Sequence, residues 1–368
     1  MDEKIRKLSD IIINYSIKVE PEEKVLITTH SLETIPLIKC LIKDIQAKGA
    51  SPFIKIINST LTSLINEKLT KQQIDLLVKE KYYDVNTYDS FITIRYTTNE
   101  YEEKYCYTKM RKILDIKSIE ADDIKINQRK WILLNYPSVI DAYKAKMKID
   151  EYKEFAFETM TIDYQKLYKD LIPLKQLMEQ TNEVKVIGPN TNLTFSIKDM
   201  PAIICAGESN IPDGEVYTAP IKESVNGYIT YNTPSPYKGN IYHNIKLTFK
   251  NGKIIEAVAT NDNDKLNEIF ATDEGAKYIG EFSLGVNPQI LNPVGDILYD
   301  EKISGSMHFT PGRAYKDAYN GNTSAIHWDL VLIQRSEYGG GEIYFDNKLI
   351  RKDGIFVDDT LNQLNKNT

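Results

Sequence analysis

The alternation of apolar and polar residues over the first 60 positions predicts a sheet flanked by helices. Apolar residues recur at three- and four-residue steps over Ile5–Tyr15 and again over Leu37–Ile45, which predicts two amphipathic helices. Short apolar runs at 24–29 (KVLITT) and 52–58 (PFIKIIN) predict strands on either side of the second helix. A strand–helix–strand unit implies parallel pairing and a right-handed crossover, so we expect an open α/β sheet.

The same mixture of helices and strands is predicted to continue as far as residue 181. A helical pattern around 60–80 precedes two further apolar strands, FITIRY at 91–96 and WILLNYP at 131–137. Residues 138–181 are rich in Lys, Glu, Tyr and Met, which predicts mostly helix with a solvated, charged face. We therefore expect an α/β N-terminal domain over residues 1–183.

From about residue 184, short strands and turn residues replace the long helices. Asn251-Gly252 lies between two apolar runs, which is a strong signal of a two-residue hairpin, and Asp346-Asn347 suggests a second hairpin. The predicted fold class is α/β, with the N-terminal open sheet followed by a strand-rich α+β domain over residues 184–368. Most of the candidate functional residues described below lie in this second domain.

Composition and charge narrow the classes of function. The chain has 46 Lys and Arg against 52 Asp and Glu, and this net charge of −6 offers no basic surface for a nucleic acid. No run of about 18 apolar residues could span a bilayer, and the N-terminus lacks a secretory signal pattern. Cys40, Cys106 and Cys205 form no CxxC motif or disulfide framework. We expect a cytoplasmic protein with no nucleic-acid or membrane partner.

His327 and Asp329 are the first pair of residues that suggests chemistry. They lie two positions apart in the apolar segment AIHWDLVLI, where side chains that alternate with a period of two point to one face. Burying an imidazole beside a carboxylate is costly unless a charge satisfies them, and a metal ion would do so. A His–Asp hydrogen bond on a half-exposed strand explains the pair equally well, so this pair alone leaves both interpretations open.

Four more polar residues stand in small or apolar surroundings. Glu215 lies in IPDGEVYTAP and Glu281 in GEFSLGVNP, while DEKISGSMHFTPGRAY contains Glu301 and, seven residues later, His308. Each of them alone is more often a turn or surface residue. With Asp329, the three glutamates carry four negative charges, which two divalent cations would neutralise.

Oxygen and nitrogen ligands without a thiolate suit two Zn²⁺, Co²⁺ or Mn²⁺ ions. A pair of such ions lies about 3.5 to 4 Å apart and shares a bridging carboxylate or water. Glu281 is our candidate for the bridge. Glu342, after three glycines, is a conceivable partner for a substrate amino group but is more simply a hairpin residue; His30 and His243 are interpreted as structural.

These segments resemble the aminopeptidase T and aminopeptidase S family of dinuclear metallopeptidases, and KVEPEEKVLI and GPNTNLTFSI extend the resemblance over nearly the whole chain. The resemblance implies two α/β-type domains, a homodimer enclosing a cavity, and release of N-terminal amino acids from short peptides. It also implies a catalytic role for Tyr315. Six residues are implied as metal ligands: Glu215, Glu281, Glu301, His308, His327 and Asp329.

The mechanism that we expect is attack on the scissile carbonyl by a water bridging two ions, with a pKa lowered toward about 7. Tyr315 would donate a hydrogen bond to the oxyanion, and Glu215 would shuttle a proton or serve as a ligand. Two alternatives remain: a dinuclear amidase acting on non-peptide amides, and a non-catalytic α/β metal- or ligand-binding protein. GxGxxG and GxxxxGK[ST] motifs are absent, which argues against a nucleotide enzyme.

Overall fold

The computed structural model describes residues 2–98, 109–237 and 239–365, and divides the chain into two compact units. The first unit comprises Met1–Ile162 with Gly207–Pro212, and the second comprises Asp163–Ala206 with Asp213–Thr368. The sequence pattern placed the boundary after residue 183, whereas the structure places it after residue 162. The reason is that helix Tyr164–Gln180 packs against strands of the second unit.

The first unit alternates helices with strands. Its helices are α1 (Asp2–Asp10, continued by a π-helical turn, Ile11–Ser16), α2 (Ile35–Ala47), α3 (Ser59–Asn66), α4 (Lys71–Thr87), α5 (Lys109–Gln128), α6 (Val139–Lys144) and α7 (Ile149–Met160). Its strands are β1 (Lys24–Thr29), β2 (Ser51–Ile56), β3 (Ser90–Arg95), β4 (Lys130–Asn135) and a later two-residue strand, Asn210–Ile211.

These five strands form one parallel sheet in the order β2-β1-β3-β4 followed by Asn210–Ile211. The parallel pairing of β1 with β2 confirms the strand–helix–strand unit predicted from the sequence. The helix expected over 60–80 is instead two helices. Thr70 and Gln73 form a capping box that begins α4, so a new helix starts there.

The second unit begins with α8 (Tyr164–Gln180) and is otherwise dominated by strands. Before the return segment to the first unit come β5 (Glu183–Gly188), β6 (Thr191–Ser196) and β7 (Ile203–Cys205), and Asn210–Ile211 is β8 in chain order. Then follow β9 (Glu215–Thr218), β10 (Asn226–Thr230), β11 (Ser235–Tyr237), β12 (Asn240–Tyr242), β13 (Lys246–Lys250), β14 (Lys253–Val258), α9 (Asn263–Phe270), β15 (Ile279–Gly285), α10 (Ile297–Asp300), β16 (Ser306–Pro311), β17 (Val331–Ile333), β18 (Glu342–Phe345), β19 (Lys348–Lys352) and β20 (Ile355–Phe356).

Two antiparallel sheets pack face to face in the second unit. An eight-stranded sheet has the order β14-β13-β10-β6-β5-β18-β19-β20, and a five-stranded sheet has the order β17-β16-β15-β9-β7. Phe195 of β6 joins them, with its ring 4.9 Å from those of Phe282 and Phe309 on the second sheet. Because strand side chains alternate, residues beside these phenylalanines, such as Glu281 and His308, face away from this aromatic contact.

Both predicted hairpins form. Asn251-Gly252 connects β13 to β14 and Asp346-Asn347 connects β18 to β19, with positive φ at both turn residues in each case. The α/β fold class and the strand-rich second half are therefore confirmed. No helix in the described part of the chain has the length and hydropathy needed to cross a membrane.

Candidate metal site in the second unit

The structure brings all six predicted donor residues together within the five-stranded sheet and its adjoining loops. Glu215 begins β9, Glu281 lies on β15 and His308 lies on the neighbouring strand β16. Glu301 follows α10, and the segment with His327 and Asp329 comes just before β17. Antiparallel pairing of β15 with β9 and with β16 explains why residues distant in sequence meet here.

Glu281 lies between the two imidazoles. Its Oε1 is 2.8 Å from Nε2 of His308, and its Oε2 is 3.6 Å from Nε2 of His327. Nε2 of His308 is also 3.4 Å from Oε2 of Glu215, and Nε2 of His327 is 3.2 Å from Oδ1 of Asp329. A carboxylate in this central position has the arrangement that a bridging ligand needs.

The donor atoms form overlapping groups with metal-ligand spacing. In each group the donor atoms lie within 4.8 Å of one another, and Glu281, His308 and Asp329 each belong to two groups. Three of the groups consist of predicted donors, namely Glu215–Glu281–His308, Glu281–His327–Asp329 and Glu301–His308–Asp329, and a fourth group is Cys205–Asp213–Glu215.

The residues present fit divalent cations. Oε2 of Glu281 is buried and has no hydrogen-bond partner within the described residues. Burying a carboxylate oxygen without a hydrogen bond costs free energy, and a bound cation would offset that cost.

Neighbouring groups orient the donors toward the pocket. Nδ1 of His327 is 2.8 Å from the Arg313 carbonyl oxygen, and Nδ1 of His308 is 3.3 Å from the Glu301 carbonyl oxygen. With Nδ1 protonated, each imidazole would donate to the carbonyl and leave Nε2 as the ligating atom, an arrangement common around metal sites. The Thr310 hydroxyl donates to Oδ1 of Asp329 at 2.7 Å and fixes that carboxylate.

Burial and mutual charge shift the pKa values of these groups. Burial alone would lower the pKa of His308, but Glu215 and Glu281 raise it to about 10. In the same way Asp329 and Glu281 outweigh burial and raise the pKa of His327 to about 9. Burial raises the pKa of Glu301 to about 8. In the metal-free protein, protons therefore supply part of the positive charge that the carboxylates require.

Sequence reasoning missed two charged residues of this cluster, Lys302 and Asp213. Lys302 is buried and its ammonium binds Glu215, Glu301 and Asp213. The sequence signal was limited to proximity: Lys302 follows Glu301 in DEKIS, and Asp213 precedes Glu215 by two in IPDGE. One extra positive and one extra negative charge cancel, so the four-charge balance inferred from the sequence is unchanged.

Tyr315 lies at the rim of the site. Its ring centroid is 4.7 Å from that of His327, and 39 % of the residue is exposed. Burial of the hydroxyl, together with Glu281 and Asp329, raises the pKa of Tyr315 well above its usual value, so the hydroxyl stays protonated at neutral pH.

The other three candidates lie outside these donor groups. His30 follows β1 in the first unit, and His243 is exposed after β12. Glu342 accepts a hydrogen bond from Tyr344 and pairs with Lys352, as expected of a hairpin residue.

A family model described as thermophilic metalloprotease (M29) matches residues 1–342. Aminopeptidase AmpS from Bacillus subtilis is 34% identical over 125 residues, which is 33% of this chain and 30% of that protein. Aminopeptidase PepS from Streptococcus thermophilus is 29% identical over 180 residues, which is 42% of this chain and 43% of that protein. The chain thus matches less than half the length of these curated relatives.

Two solved structures share the fold. Wild-type AmpT from Thermus thermophilus superposes with a TM-score of 0.75 at 17% identity, covering 97% of this chain and 99% of that one. A 2,5-dihydroxypyridine dioxygenase from Pseudomonas putida KT2440 gives a TM-score of 0.66 at 12% identity, covering 98% and 99%. At these identities the two matches establish the fold alone.

The pKa shifts predict how the metal-free protein responds to pH. His308, His327 and Glu301 all bind protons more tightly when folded, so each contributes stability at low pH that is lost as pH rises. The melting temperature of chelated protein should fall between pH 6.5 and 9. Stabilisation by added Mn²⁺ should grow over the same range, because the ion competes with those protons.

The control for this pH prediction is Asp329→Asn, which removes the largest charge that raises the pKa of His327. In histidine NMR titrations of the chelated protein, His327 should then titrate closer to 6.5. A melting temperature that stays level or rises toward pH 9 in the chelated wild type would contradict this account of the cluster.

Proposed function

The chain belongs to the thermophilic metalloprotease (M29) family, and from that premise we propose that it is a metal-dependent aminopeptidase that removes N-terminal residues from short peptides. The observation that carries the proposal is the convergence of six donor residues, among them Glu281, whose Oε2 is buried and without a hydrogen bond in the described residues. The names of the matched relatives, aminopeptidases AmpS and PepS, support the same activity.

We propose that the site holds two divalent cations, Zn²⁺, Co²⁺ or Mn²⁺. Glu215, Glu281, Glu301, His308, His327 and Asp329 would be their ligands. When bound, such ions polarise a carbonyl oxygen and lower the pKa of water toward neutrality. Cys205 is near Asp213 and Glu215, but the Lys302 ammonium pairs with both carboxylates and offsets the charge of Asp213, so we leave Cys205 and Asp213 out of the ligand set.

The remaining chemistry belongs to the chain's own side chains. Tyr315, protonated at neutral pH beside His327, would donate a hydrogen bond to the oxyanion that develops on the substrate carbonyl. Glu215 would carry a proton from the attacking water to the leaving amine only while its Oε2 is released from the metal, because its Oε1 is held by Lys302. Carboxylates of the cluster would also attract the charged α-amino group that distinguishes an aminopeptidase substrate.

We also propose a cytoplasmic homodimer. Cys40 and Cys205 are unpaired thiols, which suits a reducing compartment, while Cys106 lies outside the described residues. In the first unit, the edge strand β2 and the following helix α3 expose six large apolar side chains: Phe53, Ile54, Ile56, Leu61, Leu64 and Ile65. Exposed apolar side chains of this kind commonly mark protein interfaces.

The principal test is hydrolysis of aminoacyl anilides and short peptides, abolished by a chelator and restored by Co²⁺. Glu281→Gln keeps the side-chain shape but removes the central charge, so turnover should fall at least about 100-fold and bound metal should drop below two ions per chain. Activity on blocked amides with none on peptides would instead identify an amidase. Metal binding without any turnover would identify a binding protein.

Tyr315→Phe tests the oxyanion role. Loss of one oxyanion donor costs about 10²- to 10³-fold in kcat, and metal content should remain as in the wild type. Tyr319→Phe is the matched control, since Tyr319 is an exposed tyrosine close in sequence. If Tyr315→Phe loses metal and activity in equal proportion, the residue supports the site rather than taking part in the reaction.

Light scattering of purified protein tests the homodimer. We expect the mass of two chains, and the mass of one chain for Ile56→Lys, which places a charge on the apolar surface. Tyr143→Lys is the control, because Tyr143 is exposed in the same unit but lies on α6. A wild type that runs as one chain at all concentrations would refute the dimer.

A further inference from the structure

Lys302 is the buried cation within the candidate metal site. The residue is 1% exposed, and its ammonium has three N–H donors and three carboxylate neighbours. Nζ binds Oε1 of Glu215, lies 2.7 Å from Oε1 of Glu301 and lies 3.6 Å from Oδ1 of Asp213. A buried lysine remains charged at such a position because its attraction to the neighbouring carboxylates offsets the free energy lost when the ammonium is dehydrated.

The backbone fixes where this ammonium sits. The Lys302 amide donates to the Tyr299 carbonyl oxygen at 3.0 Å, and the Lys302 carbonyl accepts from the Asn287 amide at 2.9 Å. The side-chain amide of Asn287 in turn donates to the Asp213 carbonyl oxygen at 2.7 Å. Asn287 therefore ties the backbone of Lys302 to that of Asp213, one of the carboxylate residues that the ammonium contacts.

Some carboxylate oxygens of the site contact Lys302, and others face the metal donors. Lys302 holds Oε1 of both Glu215 and Glu301. The other oxygen of Glu215 accepts from the Ser283 hydroxyl at 2.7 Å and lies 3.4 Å from Nε2 of His308, on the side of the metal donors. Glu281 makes no recorded ion pair with Lys302 and keeps a buried oxygen without a hydrogen bond in the described residues.

We infer that Lys302 is a positioning residue that holds Glu215 and Glu301 by one oxygen each, so that each presents a single oxygen to the metal pocket. Glu281 forms no ion pair with Lys302 in the described residues, so both of its carboxylate oxygens would be available to bind metal. The ammonium also neutralises Asp213 and so supplies the charge that a further metal ion would otherwise bring to the Cys205–Asp213–Glu215 donor group. The inference deepens the proposed function and rests on it for the identity of the ligands.

The test measures Co²⁺ binding to chelated protein by calorimetry and visible absorption, without any substrate. Lys302→Ala removes the ammonium and three methylenes, which propylammonium can replace. We expect Co²⁺ affinity to fall about 10- to 100-fold, as is typical when a group that orients metal ligands is lost. Propylammonium should restore both the affinity and the absorption spectrum, whereas 1-propanol, of the same size without charge, should restore neither.

Arg351→Met is the matched control for removing a buried cation. Arg351 is also 1% exposed, lies on β19 of the same unit, and belongs to none of the donor groups. Its loss should lower the melting temperature and leave Co²⁺ affinity unchanged. If Lys302→Ala does not fold, the double variant Lys302→Met with Asp213→Asn restores the local charge balance and should still bind Co²⁺ weakly.

Wild-type Co²⁺ affinity in a folded Lys302 variant, or equal rescue by 1-propanol, would overturn the positioning role. A wild type that binds two ions without cleaving peptides would refute the aminopeptidase proposal while leaving the role of Lys302 supported by its loss of affinity. The two failures are therefore distinguishable, because this experiment reads metal binding alone.

Discussion

The burial of several carboxylates at one place is the constraint on which the second unit depends. Glu215 and Glu281 are almost inaccessible to solvent, and Asp213, which is also buried, lies near Glu215. Such charges are tolerated only when positive charge accompanies them. The protein provides it from one permanent source, Lys302, and from two titratable ones, His308 and His327. The negative charge of the carboxylates that these groups do not neutralise makes the site suited to divalent cations.

The β-sheet is what allows these charges to be gathered. On β15, Phe282 faces the aromatic contact with the eight-stranded sheet, while Glu281 on the opposite face points to the donors. A shift of one residue in register would exchange the two faces and place the carboxylate in the hydrophobic core. The same scaffold occurs in AmpT from Thermus thermophilus and in a dioxygenase, so the fold positions side chains without deciding their chemistry.

Local patterns predicted most of the fold. The apolar runs at 24–29 and 91–96 correspond to β1 and β3, with boundaries that agree within one residue. Short apolar segments between polar ones commonly form buried strands. The boundary between units was not predictable in this way. Helix α8 has the same amphipathic pattern as helices of the first unit, and its assignment to the second depends on long-range packing that periodicity does not encode.

Part of the candidate site could be predicted from the sequence. His327 and Asp329 do approach each other, with Nε2 3.2 Å from Oδ1, although they precede β17 and do not lie in a strand as their spacing suggested. The resemblance to known motifs supplied the remaining donors. Lys302 was overlooked because a lysine beside a glutamate usually lies on a solvated surface. Only the fold shows that α10 and the following turn carry it into the interior, where its charge changes which oxygens of the neighbouring glutamates are available.

The donors are dispersed along the chain, and this has a consequence for biosynthesis. Glu215 leaves the ribosome first and Asp329 last, with the strands that orient them emerging in between. A nascent chain thus exposes single carboxylates and imidazoles, which hold ions weakly, until most of the second unit has been translated. All six proposed donors could hold ions together only after β16 had paired with β15 and the segment before β17 had joined them.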